Sequence, residues 1–564
     1  MTEHLRWSGR ETQARRRVGL GWIVWGLVAA SLGCAEPLAA ARYSPVTGLI
    51  PASAPYALVG RATPGDAQGF DERISKRLAH YRDNLAVQHI VRVFGEVLGA
   101  DLLDIGALRA AGLDPQGDFA VVGLGVWPAA IVKIADQEKL DVYLEGLRTR
   151  SKPTKATAGG VTVETLEVGA ARLSLAQTQG YLVGVFHREE LNGADILAQV
   201  LEGDPAKALG RSLFFDVVLA SVGEAHGVLT VVNTRALDEA LLAKVDLRAD
   251  PLRPHLSPER LKTYDEERSH TMETCRDGGR FIADRVPYIA LGSTLEDQRW
   301  RQQLMVRLDP QAEVALRKVM PGLKGSVAEV FQDALVAFAV GVDIEALARH
   351  ADFPPALTLC PNLAMFTGAA GVLGRSLAET DASKVFGAAL IGALYDFDLK
   401  PGFLTKRSGM LLFEAKQPQA ALEGFELFLL GLGFSQIEGV TPGGSGRAYV
   451  VMGALAVSVI PFERHIALVL GEVAQKKVDS VTSPSAASAS AVSGEVGRFE
   501  LRGEPLQVML RGLIDQLALL TPVNAEYGRA LLEAVEGVRS VSVSGRFEPE
   551  AFMIQIDSQV QLEP

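Results

Sequence analysis

The chain of 564 residues is acidic, with 67 aspartates and glutamates against 56 lysines and arginines and a formal charge of −11. Hydrophobic residues make up 48% and charged residues 22%, which excludes a disordered chain and supplies enough apolar surface for several cores. An acidic body with no long basic run repels phosphate backbones, so nucleic acid is not an expected partner.

The first feature in chain order is a leader over residues 1–41. Arg15, Arg16 and Arg17 precede Val18 to Gly33, a run without charge. A helix that spans a bilayer needs about 20 apolar residues, because the hydrocarbon is roughly 30 Å thick. This run is shorter and suits an export signal. Two processing sites follow. "SLGC" ends at Cys34 and resembles a lipoprotein box, although Ser31 stands where the usual leucine would be. "LAAA" places Ala39 and Ala41 as an A-x-A site. Lipidation at Cys34, plain secretion and an uncleaved anchor all remain open, and all three place the body outside the cytoplasm. The membrane is therefore an expected partner, through this segment or a lipid on it.

The body reads as α+β. A loop and a short strand at Tyr56 to Gly60 lead into a long helical region that ends at Gly112. "FAVVGLGVWPAAIVKIA" reads as two strands, and "DQEKLDVYLEGLRTR" as a helix capped by Asp136 with Leu140, Leu144 and Leu147 on one face. "SKPTKATAGG" reads as a flexible loop. "VTVETLEV", "ARLSLAQT" and "GYLVGVF" alternate as a half-buried antiparallel meander. Helix, strand-into-helix and a strand pair around Glu296 to Arg299 complete a first module over 46–310, with a polar insertion at 248–285.

The order then repeats. After a strand–helix connection at 311–356, a second module over 357–564 reads the same way. "NLAMFTGAAG" matches "PYALVGRATP", and Leu422, Phe425 and Leu429 form the helix face. "GRAYVVMG", "ALAVSVIP" and "HIALVLG" repeat the meander, "PLQVMLRGLIDQLALL" the strand-into-helix, and a last strand pair places Gly545 where Gly292 stood. Residues 480–497 read as a mobile Ser/Ala-rich loop. The expected architecture is a tandem duplication of an α+β module behind a signal or anchor segment.

"LIPASAPYALVGRATP" and, some fifty residues on, "AGLDPQGDFAVVGLGVWPAAIVKIAD" resemble a bacterial family of exported proteins whose domain has no assigned function. The resemblance covers mainly 49–150. It implies an exported envelope protein and transfers no catalytic residue.

The usual catalytic devices are missing from the sequence. No G-x-S-x-G is present, and "GGSGR" at 443–447 reads as a turn. "VVGLGVWP" lacks the third glycine of a dinucleotide loop and leads into a strand, so no helix N-terminus faces a phosphate. His187 reads as opening a helix, His226 as a turn residue and His465 as a surface residue at a strand start. The one weak metal candidate is His255, His270 and Cys275, at spacings that match no standard zinc finger. Asp396 and Asp398 in "YDFDLK" lie on one side of an extended segment, where two carboxylates can share a proton or a cation. Cys275 and Cys360 are either two buried thiols or a pair. No cofactor is expected. The composite expectation is a non-enzymatic binding or structural protein of the bacterial envelope, with an unidentified protein or small-molecule ligand. The alternative is an envelope hydrolase with its site in the cleft between the modules.

Overall fold

The computed structural model describes residues 43–61, 104–242, 258–323, 330–350, 382–503 and 538–560, apart from short gaps within these ranges. The leader, most of the long helical region before Gly112, and the segments "NLAMFTGAAG" and "PLQVMLRGLIDQLALL" lie wholly or largely outside them. The chain divides into two compact units. The first takes residues up to 272 with 287–297 and 302–305, and the second takes 273–286, 298–301 and 306–564.

In the first unit a 3-10 turn at Pro45–Gly48 precedes β1 (Tyr56–Gly60), α1 (Ile105–Ala110), β2 (Phe119–Leu124), β3 (Trp127–Lys133) and α2 (Gln137–Arg150). The meander follows as β4 (Thr154–Ala158), β5 (Val161–Val168), β6 (Ala171–Thr178) and β7 (Tyr181–His187). Then come α3 (Gly193–Leu201), α4 (Leu213–Val222), β8 (Val228–Asn233), α5 (Thr234–Leu242) and β9 (Tyr288–Glu296). α6 (Pro258–Arg285) and β10 (Arg299–Arg307) are cut by the division between the units. The strands lie in the order β9-β8-β1-β2-β3-β7-β6-β5-β4, each pair antiparallel.

Local chemistry explains the helix starts. Asp136 accepts the Lys139 N–H, Asn192 that of Ala194 and Ser212 that of Phe215, each side chain satisfying an amide that has no partner within its helix. The apolar face of α2 then closes on the sheet. Leu140, Leu144 and Leu147 pack with Leu166, Leu173 and Leu175 of β5 and β6. At the β2–β3 turn Gly125 takes φ +63°, a left-handed conformation that glycine adopts at little cost. The "GLG" pattern is thus hairpin chemistry.

The second unit contains α7 (Pro310–Val319), β11 (Val336–Gly341), α8 (Ile344–His350), α9 (Ala382–Val385), β12 (Phe386–Lys400), β13 (Phe403–Ala415) and α10 (Pro418–Gly431). Its meander is β14 (Ser435–Gln436), β15 (Arg447–Val451), β16 (Leu455–Phe462) and β17 (His465–Leu470). α11 (Glu472–Val481), β18 (Glu495–Arg502), β19 (Val538–Glu548) and β20 (Ala551–Val560) follow. Its strand order is β20-β19-β18-β11-β12-β13-β17-β16-β15-β14, again antiparallel throughout. From β19 to β14 this is the order found from β9 to β4 in the first unit. Leu422 and Leu429 of α10 are buried against Tyr449, Val459 and Ile466, with Phe425 partly buried beside them.

Both units are α+β. Several local expectations differ from what the structure holds. Residues 154–158, read as a flexible loop, form edge strand β4, in which two threonines favour extended backbone. Residues 213–222 form α4, a helix the sequence reading did not place. Its run "LFFDVVLASV" carries a single charge and therefore little amphipathic signal. Part of the polar insertion is the 28-residue helix α6. Residues 336–341, assigned from sequence to the connection, pair with β12 and β18 just as β1 pairs with β2 and β8. The end of the supposed mobile loop, from Glu495, is already strand β18.

Candidate functional site

Among the described residues of the first unit, three groups of buried polar side chains could carry chemistry. The first centres on Asp118, just before β2. Its Oδ2 accepts hydrogen bonds from the Val46 N–H at 2.9 Å, the Ser44 hydroxyl at 3.0 Å and the Tyr181 hydroxyl at 2.6 Å. The Lys133 ammonium lies over the Tyr181 ring, 4.5 Å from its centroid. Burial, and then the Asp118 carboxylate, hold the Tyr181 phenol protonated far above its ordinary range. Tyr43 is also held protonated, by burial, against the opposing pull of Arg61. The carboxylate thus ties Ser44 and Val46 to the sheet.

The second group is Thr165, Ser174 and His187. The Ser174 Oγ lies 2.8 Å from the His187 Nε2 and 2.6 Å from the Thr165 Oγ1. A serine hydroxyl bonded to an imidazole is the core of a nucleophilic triad, so its access decides its role. Ser174 is 0% and His187 2% exposed. The start of α3 closes over them: a Cβ added at Gly193 would collide with the Ser174 side chain and the His187 ring. With no room for one more carbon there is none for a substrate carbonyl. The pair holds β6, β7 and α3 together.

The third group is His226, whose Nδ1 lies 2.9 Å from the Thr294 hydroxyl, with both residues buried. Gly292 sits against that imidazole so closely that a Cβ would strike it. The glycine is therefore a packing requirement of the buried histidine.

His187 does not open a helix and is not solvated: it ends β7, inside the core. Nor is His226 a simple turn residue, being buried on Thr294. His465 does begin a strand, β17, where its ring stacks on Phe462 at 5.5 Å and burial lowers its pKa. Ser445 of "GGSGR" sits in the turn before β15 and donates to the Pro461 carbonyl. The metal candidates are not brought together. Cys275 is disulfide-bonded, which removes it as a thiolate ligand. His255 lies outside the described residues, and of His270 only its place in α6 is described. Among the described residues no group of three metal-ligating side chains converges. Cys34 and Cys360 lie outside the described residues. Asp396 and Asp398 lie on β12, in register with Ser408 and Lys406.

Sequence reasoning missed Asp118 and Ser174. Asp118 is one polar residue among several in "DPQGDF", and Ser174 one polar position of the alternating "ARLSLAQT". Neither carries a motif, because each acquires its partners only when distant strands pair.

No family model matches the chain, and no curated protein matches it. Among solved structures, crystal form I of TP0453 is similar at 9% identity, covering 49% of this chain and 86% of that one with a TM-score of 0.23. Crystal form III of TP0453 is similar at 10% identity, covering 49% and 87% with a TM-score of 0.24. Likenesses at that level carry no argument about fold or activity. Among the described residues no helix is long and apolar enough to cross a membrane.

Proposed function

We propose that the chain is an exported protein of the bacterial envelope, held at a membrane or released beside it through its N-terminal segment, and that it works by binding rather than by catalysis. The observation that carries the non-enzymatic half is the sealing, among the described residues, of the buried Ser–His pair and the other buried polar groups. Asp118, Ser174, His187 and His226 are 6%, 0%, 2% and 7% exposed, and each has bonds within the fold. The leader chemistry supports export. The disulfide at Cys275 suits an oxidising compartment. The matching strand orders support a duplicated module, with a partner of either class, protein or small molecule, bound on the surfaces the modules offer.

The test is fractionation of the native protein with mass spectrometry of its N-terminus. Diacylglyceryl-Cys34 establishes the anchored form, and a start near Arg42 the secreted one. An intact Met1 in the soluble cytosol overturns the location. A fluorophosphonate probe that labelled Ser174 in the native protein would overturn the non-enzymatic half.

A further inference from the structure

Cys275 lies on α6, half-buried, and is disulfide-bonded. The chain has three cysteines, at 34, 275 and 360, so its partner is Cys34 or Cys360. Both lie outside the described residues. Two observations separate them. The first is where this end of α6 belongs. Residues 273–286 form one compact unit with 298–301 and 306–564, the range that holds position 360, whereas position 34 falls in the range of the first unit. The end of the helix is fastened within the second unit as well. The Arg285 Nη1 donates to the Asp309 carboxylate and to the Gln311 side-chain oxygen, each at 2.5 Å. The Arg285 carbonyl accepts the Asp309 N–H at 2.8 Å. A bond at Cys275 adds a second fastening about 15 Å along the helix.

The second observation is the chemistry open to Cys34. Lipidation turns its sulfur into a thioether, and cleavage after Ala41 removes the residue altogether. Neither product has a thiol at 34 to give. A bond from Cys34 to Cys275 is open only to a chain that keeps its leader whole and its Cys34 unmodified. Cys360 stands under no such condition, and a bond to it is compatible with every fate of the N-terminus.

We infer that the disulfide joins Cys275 to Cys360, that it forms after export, and that it leaves Cys34 to the processing of the leader. The inference rests on the proposed export for its oxidant, an oxidised protein dithiol of the envelope. The exchange breaks two S–H bonds and forms one S–S bond. The oxidant's disulfide takes up the two electrons and two protons and becomes a dithiol. The bond closes a loop from 275 to 360 that contains β9, β10, α7, β11 and α8. β11 pairs with β12 on one side and β18 on the other, so the closed loop carries an interior strand of the second unit. Closing so long a loop stabilises the fold mainly by removing freedom from the unfolded chain.

Peptide mapping of the native full chain, alkylated without reduction and then digested, tests it. Trypsin places the three cysteines on separate peptides, 18–42, 269–276 and 350–375. The expected product is 269–276 joined to 350–375, released as two peptides by dithiothreitol. A link from 269–276 to 18–42 overturns the inference. An alkylated Cys275 in a chain whose processed N-terminus proves export overturns the disulfide and leaves the export standing. The expected link in a cytosolic chain with Met1 intact keeps the pairing and overturns the export together with the oxidant assigned to it. Cys34→Ser is expected to leave Cys275 blocked to alkylation and Cys360→Ser to free it, and the reverse pattern overturns the inference. Dithiothreitol is expected to lower the melting temperature of the unmodified chain by about 5 °C or more and to leave that of Cys360→Ser unchanged. An equal fall in both assigns the bond elsewhere and overturns the pairing.

Discussion

Tyr181 and Tyr449 are both buried tyrosines on strands, one in each unit, and their surroundings treat the phenol in opposite ways. Tyr181, 4% exposed, donates to Asp118 at 2.6 Å, and Asp118 gathers Ser44 and Val46 on the same oxygen. Tyr449, 0% exposed, lies among Leu422, Leu429, Val459 and Ile466, and among the described residues its hydroxyl finds no hydrogen-bond partner. The first unit gathers polar groups as far as 74 residues away in sequence around one carboxylate. The second fills the space beneath α10 with rings, where Phe386, Phe413 and Phe425 lie 5.0 to 5.8 Å apart. Matching strand orders thus do not impose matching cores. The backbone order is compatible with a leucine cluster beneath α2 and an aromatic one beneath α10. A buried polar atom stabilises only when its partners are built with it.

The comparison breaks most readily at Asp118. Asp118→Ala strands the Tyr181 hydroxyl, the Ser44 hydroxyl and the Val46 amide together, and an unpaired buried group costs about 1–3 kcal/mol. Its urea midpoint is expected to fall by the equivalent of about 4 kcal/mol, with protease cutting near Val46 appearing first. A loss under 1 kcal/mol would show that the network is ornamental. Gly193→Ala comes next. It drives a methyl group into Ser174 and His187, and overpacking of this kind costs about 2 kcal/mol. Thermal unfolding reads the loss, and a neutral result would show that α3 can lift off the pair.

The third prediction concerns alkaline pH. Burial raises the pKa of Tyr43, and burial with Asp118 raises that of Tyr181. For a group with a raised folded-state pKa, the stability is fully present below the unfolded value, about 10 for tyrosine, and is lost as pH rises toward the folded value. Stability should therefore decline above about pH 10, and Tyr181→Phe should make that decline shallower while lowering stability by about 1 kcal/mol at neutral pH. An unchanged slope would remove Tyr181 from the account.

Much of the fold was legible because its signals are local. The Asp136 cap and the Leu140, Leu144 and Leu147 stripe specify α2 within one segment, and the alternation of β5 to β7 specifies a meander. Where the signal was non-local, reading failed. β4 is a strand because β5 pairs with it. β11 takes the place of β1 because β12 and β18 flank it. His187 looked like a helix opener because "REEL" follows it, while the residues that bury it, Ser174 and Gly193, come from another strand and a helix start. The polar networks were invisible for the same reason. Asp118 and Ser44 are joined only by folding, and no spacing rule covers a bond across 74 residues.

The smallest expected effect is also the sharpest test of the comparison. Tyr449→Phe removes a hydroxyl that has no partner among the described residues and leaves the ring where Val459 and Ile466 pack on it. Burial of that hydroxyl raises its pKa, more than the nearby Arg447 lowers it. Deleting a buried group that pays no part in a bond recovers its desolvation cost, about 1 kcal/mol, whereas the same deletion at Tyr181 loses a bond to a carboxylate. The two substitutions are chemically identical and are expected to have opposite signs. A rise in melting temperature of a few degrees for Tyr449→Phe and a fall for Tyr181→Phe would establish that partnership, not burial, decides the value of these phenols. A fall in both would mean that the Tyr449 hydroxyl is satisfied by a water within the aromatic cluster, and the contrast between the two cores would narrow accordingly.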